Sequence, residues 1–306
     1  MDAVVAVALP VFAIIAAGFA AGKSGALTIA DSEALNKFVF RLAMPVALFG
    51  LAARNAPPGA DDAGIALAYA GAASLALIVG YFLAGRLFAL QGPEAGAHAF
   101  AATLGNAVFL GLPIALNVEG WARPFIVLML IEGTLVIAAG AALMSRRDAG
   151  AGLGAFLAGP MKNPLVLGML AGFVYSLLGL PLEGPFAAFF DFLGRAAGPT
   201  ALVSLGLFLA THQFPPIGAV AGRVAMIGAV KMALLPAVAL GVAFALGVSD
   251  PNWVGALALF VFTPSAVGSF VMASQYGVSK TETAAAVFAT TILSILTISG
   301  VLVVFA

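Results

Sequence analysis

Ten apolar runs separated by short polar breaks are what most constrain the fold of this chain. They cover about residues 3–21, 36–53, 63–89, 95–118, 122–145, 163–180, 187–211, 217–247, 252–275 and 282–305. A membrane span needs about 20 mostly apolar residues. Lipid offers no partner to an unpaired N–H or C=O, so such runs must close their hydrogen bonds within a helix. Composition agrees: 63% of the 306 residues are hydrophobic and 8% are charged, against roughly half and a quarter in soluble domains. The expected fold class is an all-α integral membrane protein with ten transmembrane helices.

Several function classes drop out at once. Net charge is zero, so nothing suggests nucleic acid as a partner. Without cysteine there is no thiolate nucleophile and no Cys-based metal site. The two histidines, His98 and His212, fall on different spans, so neither a metal site nor a catalytic triad is supported. "GKS" at Gly22 to Ser24 lacks the leading glycine of a phosphate loop, because Ala17 stands there. An enzyme would need an assembled nucleophile, base or metal; no enzyme, cofactor or resident metal is expected. The first run is preceded by Asp2 and no cation, which reads as a retained helix rather than a cleaved signal.

The two halves are related. A shift of 154 residues aligns Pro10 with Pro164, Gly18 with Gly172, Arg41 with Arg195, Pro45 with Pro199, and Ala47-Leu48 with Ala201-Leu202. Five spans per half is an odd number, so the second copy would enter the membrane inverted, the build of many secondary transporters. The expected organisation is a first five-helix repeat over 1–145, a cytoplasmic linker over 146–162, and a second, inverted repeat over 163–306. Lys and Arg orient it. With the N-terminus outside, cytoplasmic loops hold Lys23, Lys37, Arg86, Arg146, Arg147, Lys162 and Lys280, and outer loops only Arg54 and Arg123. Both termini are therefore expected outside, in a multi-pass protein of the inner (plasma) membrane.

Spans four and nine are interrupted. "GNAVFLGLPIALN" (Gly105 to Asn117) carries two Asn, two Gly and Pro113; "VFTPSAVGSF" (Val261 to Phe270) places Thr263 to cap and Pro264 to open a new half-helix. By helix rise, Asn106 and Pro264 both lie roughly 17 Å into their spans from opposite faces, near the midplane. Broken helices meeting there turn half-helix N-termini toward a shared cavity, a place for an anion.

These segments resemble the auxin efflux carrier family, within the wider bile acid and arsenite transporter-like group. The resemblance covers essentially the whole chain and rests on "LNKFVFRLAMPVALF" (Leu35 to Phe49), "GNAVFLGLPIA" (Gly105 to Ala115), "KNPLVLGMLAGF" (Lys162 to Phe173), "GPTALVSLGLFLA" (Gly198 to Ala210), "KMALLPAV" (Lys231 to Val238), and "TPSAVGSFVMASQYG" with "TTILSILTI" (Thr263 to Gly277, Thr290 to Ile298). It implies spans one, two, six and seven as scaffold, spans three to five and eight to ten as a moving transport domain, and crossed helices four and nine at the substrate site. Asn106 would stand beside the crossover, with Pro113 and Pro264 at the breaks. Family substrates are organic anions, auxin-like carboxylates in plants and malate- or malonate-like dicarboxylates in bacteria. The short central linker looks like the short bacterial form.

The candidate substrate-binding set is thus Gly105, Asn106, Pro113, Thr263, Pro264 and Ser265, with Thr103 nearby. Asn106 is read either as a ligand to a carboxylate or as a cap on half-helix carbonyls. Glu132 and Lys231 approach the midplane, where ionisable groups are costly and functional by default. They are candidates for proton coupling, or form a structural ion pair. Arg41 and Arg223 are expected to snorkel, Arg195 to pair with Asp191 at i, i+4, and Asp61-Asp62 to form a solvated turn. "GFAAG" (Gly18 to Gly22) and "GMLAG" (Gly168 to Gly172) read as packing motifs. The expectation is an elevator-type carrier of small organic anions, working as a homodimer through its scaffold helices. A sodium-coupled symporter of the bile acid type and an anion channel are the alternatives, so the coupling ion is H+ or Na+, or none.

Overall fold

The computed structural model describes residues 2–55, 59–145, 160–211 and 217–305. Among the described residues the chain is all helical, apart from one isolated antiparallel bridge between Gly105 and Ser265. The helices are α1 (Asp2–Lys23), α2 (Ile29–Phe38), α3 (Met44–Arg54), α4 (Ala63–Phe88), α5 (Gly92–Ala101), α6 (Leu112–Ala115), α7 (Ala122–Ile131), α8 (Ile137–Met144), α9 (Pro164–Leu177), α10 (Gly184–Thr211), α11 (Ile217–Ala229), α12 (Leu235–Ala245), α13 (Pro251–Val261), α14 (Val267–Tyr276) and α15 (Lys280–Phe305). Six continuous stretches, Ile29–Arg54, Ala63–Phe88, Ala122–Met144, Gly184–Thr211, Val220–Ala245 and Lys280–Phe305, are long and apolar enough to cross a membrane. The other four runs in the sequence correspond to α1, α9 and the two interrupted segments.

Four wide π turns punctuate these stretches, at Val39–Ala43, Ala107–Gly111, Glu132–Val136 and Val230–Leu234. Three are followed by a proline in the first turn of the next helix: Pro45, Pro113 and Pro236. Proline lacks the N–H of an α turn and its ring presses on the carbonyl four residues back. In each case that carbonyl belongs to the π turn, whose wider winding relieves the contact. The one without a following proline begins at Glu132, and Lys231 lies within the turn at Val230–Leu234.

The helices pack in two sets. Helices α1, α3, α9 and α10 pack on one another, α1 along α10 and α3 along α9. In the second set α4 packs on α5 and α12, α8 on α5, α13 on α7, and α15 on α11 and α14. The small-residue motifs belong to the first set. A side chain at Gly18 would strike the backbone of Val203, and one at Gly168 the backbone of Pro45, so these glycines let helix axes close to backbone contact.

Three surface assignments change. Asp62 is 2% exposed and pairs with Arg123 at 2.8 Å, so its turn is pinned rather than solvated; its Oδ2 also accepts the N–H of Gly59. Asp191 pairs with Arg54 at 2.8 Å, not with Arg195, because Arg54 of α3 reaches it from the neighbouring helix. Arg223 does not simply snorkel but meets Glu282 of α15 at 2.7 Å. His212, Pro57, Pro58 and positions 146–159 of the expected linker lie outside the described residues.

Candidate functional site: a backbone crossover beside a cavity

The first interrupted segment stops at Ala101 and resumes at Ala107; the second stops at Val261 and resumes at Val267. Between these points the two segments run antiparallel and bond to each other. Asn106 N–H donates to Pro264 O at 2.8 Å, and Ala266 N–H to Leu104 O at 3.0 Å, on either side of the Gly105–Ser265 pair. Groups that a break would leave unpaired inside the protein are thus satisfied by the other break.

The first break therefore precedes Pro113, which opens the short helix α6 after a π turn rather than standing at the interruption. The sequence pointed to Pro113 because proline is the usual breaker, but here the π turn absorbs it. Thr263 likewise does not cap a new helix. Its hydroxyl donates to Phe260 O at 2.6 Å, closing the end of α13, and Pro264 lies in the extended strand, where its carbonyl is free to accept.

Side chains brace this crossover from neighbouring helices. Gly105 N–H donates to Glu132 Oε1 at 2.8 Å, and the Tyr69 hydroxyl donates to the same oxygen at 2.7 Å. Opposite, Ser265 N–H donates to Thr290 Oγ1 at 3.0 Å. Lys231 Nζ donates to Val261 O at 3.2 Å, at the C-terminal end of α13. Ser265 Oγ donates to Ala101 O at 2.8 Å, at the end of α5. Glu132 and Lys231 are 5% and 1% exposed, and among the described residues they make no direct ion pair. Their charged atoms each lie 3.4 Å from where a Cβ on Gly105 would sit, hence within twice that distance of each other. That same Cβ would come within 2.5 Å of Thr263 Oγ1, so only glycine fits. Sequence reading missed Tyr69 and Thr290. Thr290 stood in a quoted motif without a role; Tyr69 is one of only four tyrosines, and a hydroxyl inside the alanine-rich run of α4 was the available signal.

A cavity adjoins the crossover, lined on one side by Met44, Leu48 and Ala197 and on the other by Asn106, Glu132 and Gly268. Its donors can be sorted. The hydroxyls of Thr103, Thr263 and Ser265 each give their one proton to a main-chain carbonyl, so they have none for an anion. Asn106 lines this wall, is 2% exposed, and its side-chain amide makes no cap hydrogen bond. The turn from Ala107 and the helix from Val267 both begin at this wall, and their first N–H groups have no partner in their own helix. An amide and two helix starts can receive an anion there.

Residues 3–302 match the family described as "Membrane transport protein". A protein of Rhizobium meliloti (strain 1021) named "Putative malonate transporter" is 28% identical over 99% of this chain and 96% of its own length. An "Uncharacterized transporter" of Methanothermobacter thermautotrophicus (strain Delta H) is 23% identical over 95% of this chain and 94% of its own. These are names of transporters, not of enzymes.

Proposed function

Since this chain belongs to the membrane transport protein family, and so is a membrane transporter, we propose that it carries small carboxylates of malonate's class by alternating access, with the crossover as the substrate site. The observation that carries this reading is the Asn106 amide, which caps neither half-helix, at the wall of a cavity where two interrupted segments begin again. The name of the Rhizobium meliloti relative supports malonate as the first substrate to try.

In this reading ten spans form two inverted five-helix repeats, 1–145 and 163–306. The local two-fold pairing about Gly105 and Ser265 supports it, since it relates span four to span nine. Helices α1, α3, α9 and α10 are the scaffold and the second packing set is the part that moves, as in an elevator. The cavity lies between the two sets, where movement of one past the other would change its access. Two copies pair through the scaffold, the protein sits in the inner membrane, and both termini lie outside. Proton coupling runs through Glu132 and Lys231, close but not locked as an ion pair.

Counterflow of labelled malonate in liposomes tests the carrier. Asn106→Ala is expected to lose malonate binding and counterflow while staying folded and monodisperse. Normal counterflow by Asn106→Ala removes the crossover from the substrate path, and conductance without saturable exchange makes the protein a channel. Replacing sodium by choline separates proton from sodium coupling. An inactive C-terminal alkaline phosphatase fusion, beside an active one within 146–162, overturns the orientation.

A further inference from the structure

A second cavity lies along the seam that holds the first. Helix α14 contributes Gly268 to the central cavity and Ser274 and Gln275 to the second. The α2–α3 stretch contributes Met44 to the first and Asn36 to the second. At 1.5 Å per residue the two cavities stand about 9–12 Å apart along the same pair of segments.

Only three buried side-chain polar atoms lack a hydrogen-bond partner among the described residues: Asn36 Oδ1, Ser274 Oγ and His98 Nε2. Two of the three line this one cavity. Leaving such an atom unpaired costs about 1–3 kcal/mol, so two in one wall point to an occupant. The cavity's charges say which kind. Lys37 and Lys280 face a single carboxylate, Glu33, and the Lys280–Glu33 pair is loose at 3.8 Å and part-exposed. The local balance is positive and Lys280 is free to turn to another anion. Asn36 is 2% exposed; its amide can present either oxygen or NH2, the two being interchangeable by rotation, and the Ser274 hydroxyl can donate.

We propose that this cavity is a second binding site for a small carboxylate, held by Asn36, Ser274 and Lys280, one step along the seam from the crossover. The choice of a carboxylate ligand rests on the carrier reading above; the existence of the site does not.

The test titrates purified protein in lipid-free maltoside with labelled malonate, then with formate and acetate. Wild type is expected to show two saturable components. Asn106→Ala should keep only the weaker, and Ser274→Leu, which fills the cavity with apolar atoms, only the tighter. Lys280→Gln should weaken the second component about tenfold at low salt, equivalent to about 1.4 kcal/mol. Because Asn36 Oδ1 has no hydrogen-bond partner to lose, Asn36→Ala should melt no lower than wild type and still lose the second component, which answers any misfolding of Ser274→Leu. Loss of the Asn106-dependent component alone counts against the carrier reading. If none of the three anions shows binding that depends on Ser274 and Asn36, the cavity holds only water and the proposal is overturned.

Discussion

The two interruptions solve the same problem with different chemistry. At the second, Ser265 N–H is held by Thr290, a neutral hydroxyl that gives its own proton to Ala286 O. At the first, Gly105 N–H is held by a carboxylate, Glu132, with Tyr69 on the same oxygen and the Lys231 ammonium close by. The second break shows that a hydroxyl is sufficient to hold the backbone. Geometry alone therefore does not call for Glu132, and burying a charge within a membrane segment is costly. On the carrier reading the second break is architecture, and the first is where a charge would act.

The comparison is broken most forcefully at Gly105. A methyl group there would press on Thr263 Oγ1 at 2.5 Å, whereas its partner Ser265 already carries a side chain. Gly105→Ala is expected to abolish counterflow and to lower stability by about 1–3 kcal/mol, as overpacking does. Ser265→Ala, which loses only its bond to Ala101 O, should cost about 1 kcal/mol and leave counterflow measurable. Thermal melts and liposome counterflow on the two proteins check this. Equal behaviour would mean that the close approach at Gly105 is no constraint.

Next in size is the contrast between Glu132→Gln and Thr290→Val. Glutamine keeps an oxygen for Gly105 N–H and Tyr69 but has no charge and takes up no proton. Gradient-driven uptake should be lost and its pH dependence should vanish, with counterflow spared. Thr290→Val leaves a buried N–H unpaired, a cost of about 1–3 kcal/mol. It should lower the melting temperature and slow both modes of transport alike, at every pH. Should Glu132→Gln retain pH-dependent uptake, the charge is structural and the two breaks do not divide the work.

How far this was legible in the sequence follows from the same contrast. The apolar runs, the interrupted fourth and ninth segments, and Asn106, Glu132 and Lys231 as buried polar outliers could all be read, because a polar residue in an apolar run stands out. Partners across helices could not. Nothing in the spacing of Tyr69, Gly105 and Glu132 shows that they meet, since they lie on three segments far apart in the chain. Arg54 took Asp191 from Arg195 for the same reason: an i, i+4 pair is visible in sequence and an interhelical one is not. The first break was placed at Pro113 because proline is a visible breaker, while the turn that ends α5 contains no proline at all.

The smallest expected effect is the most discriminating about Glu132. Tyr69 donates to Glu132 Oε1 at 2.7 Å and is fully buried. A hydrogen bond to a charged acceptor contributes about 1.5–3 kcal/mol and one to a neutral acceptor about 0.5–1.5 kcal/mol. Tyr69→Phe removes the donor while keeping the ring against Phe260, whose centroid is 4.9 Å away. Measuring Tyr69→Phe in the wild-type and Glu132→Gln backgrounds therefore reads the charge on the acceptor: a carboxylate makes the cost about 1 kcal/mol larger in the wild type, and a neutral acid makes the two costs equal. Repeating the cycle with and without bound malonate then asks whether substrate changes that charge. A difference that appears or vanishes on binding ties proton uptake to the substrate through Glu132. A cycle that is the same in both conditions leaves Glu132 as a brace for Gly105, equivalent to Thr290 on the other side.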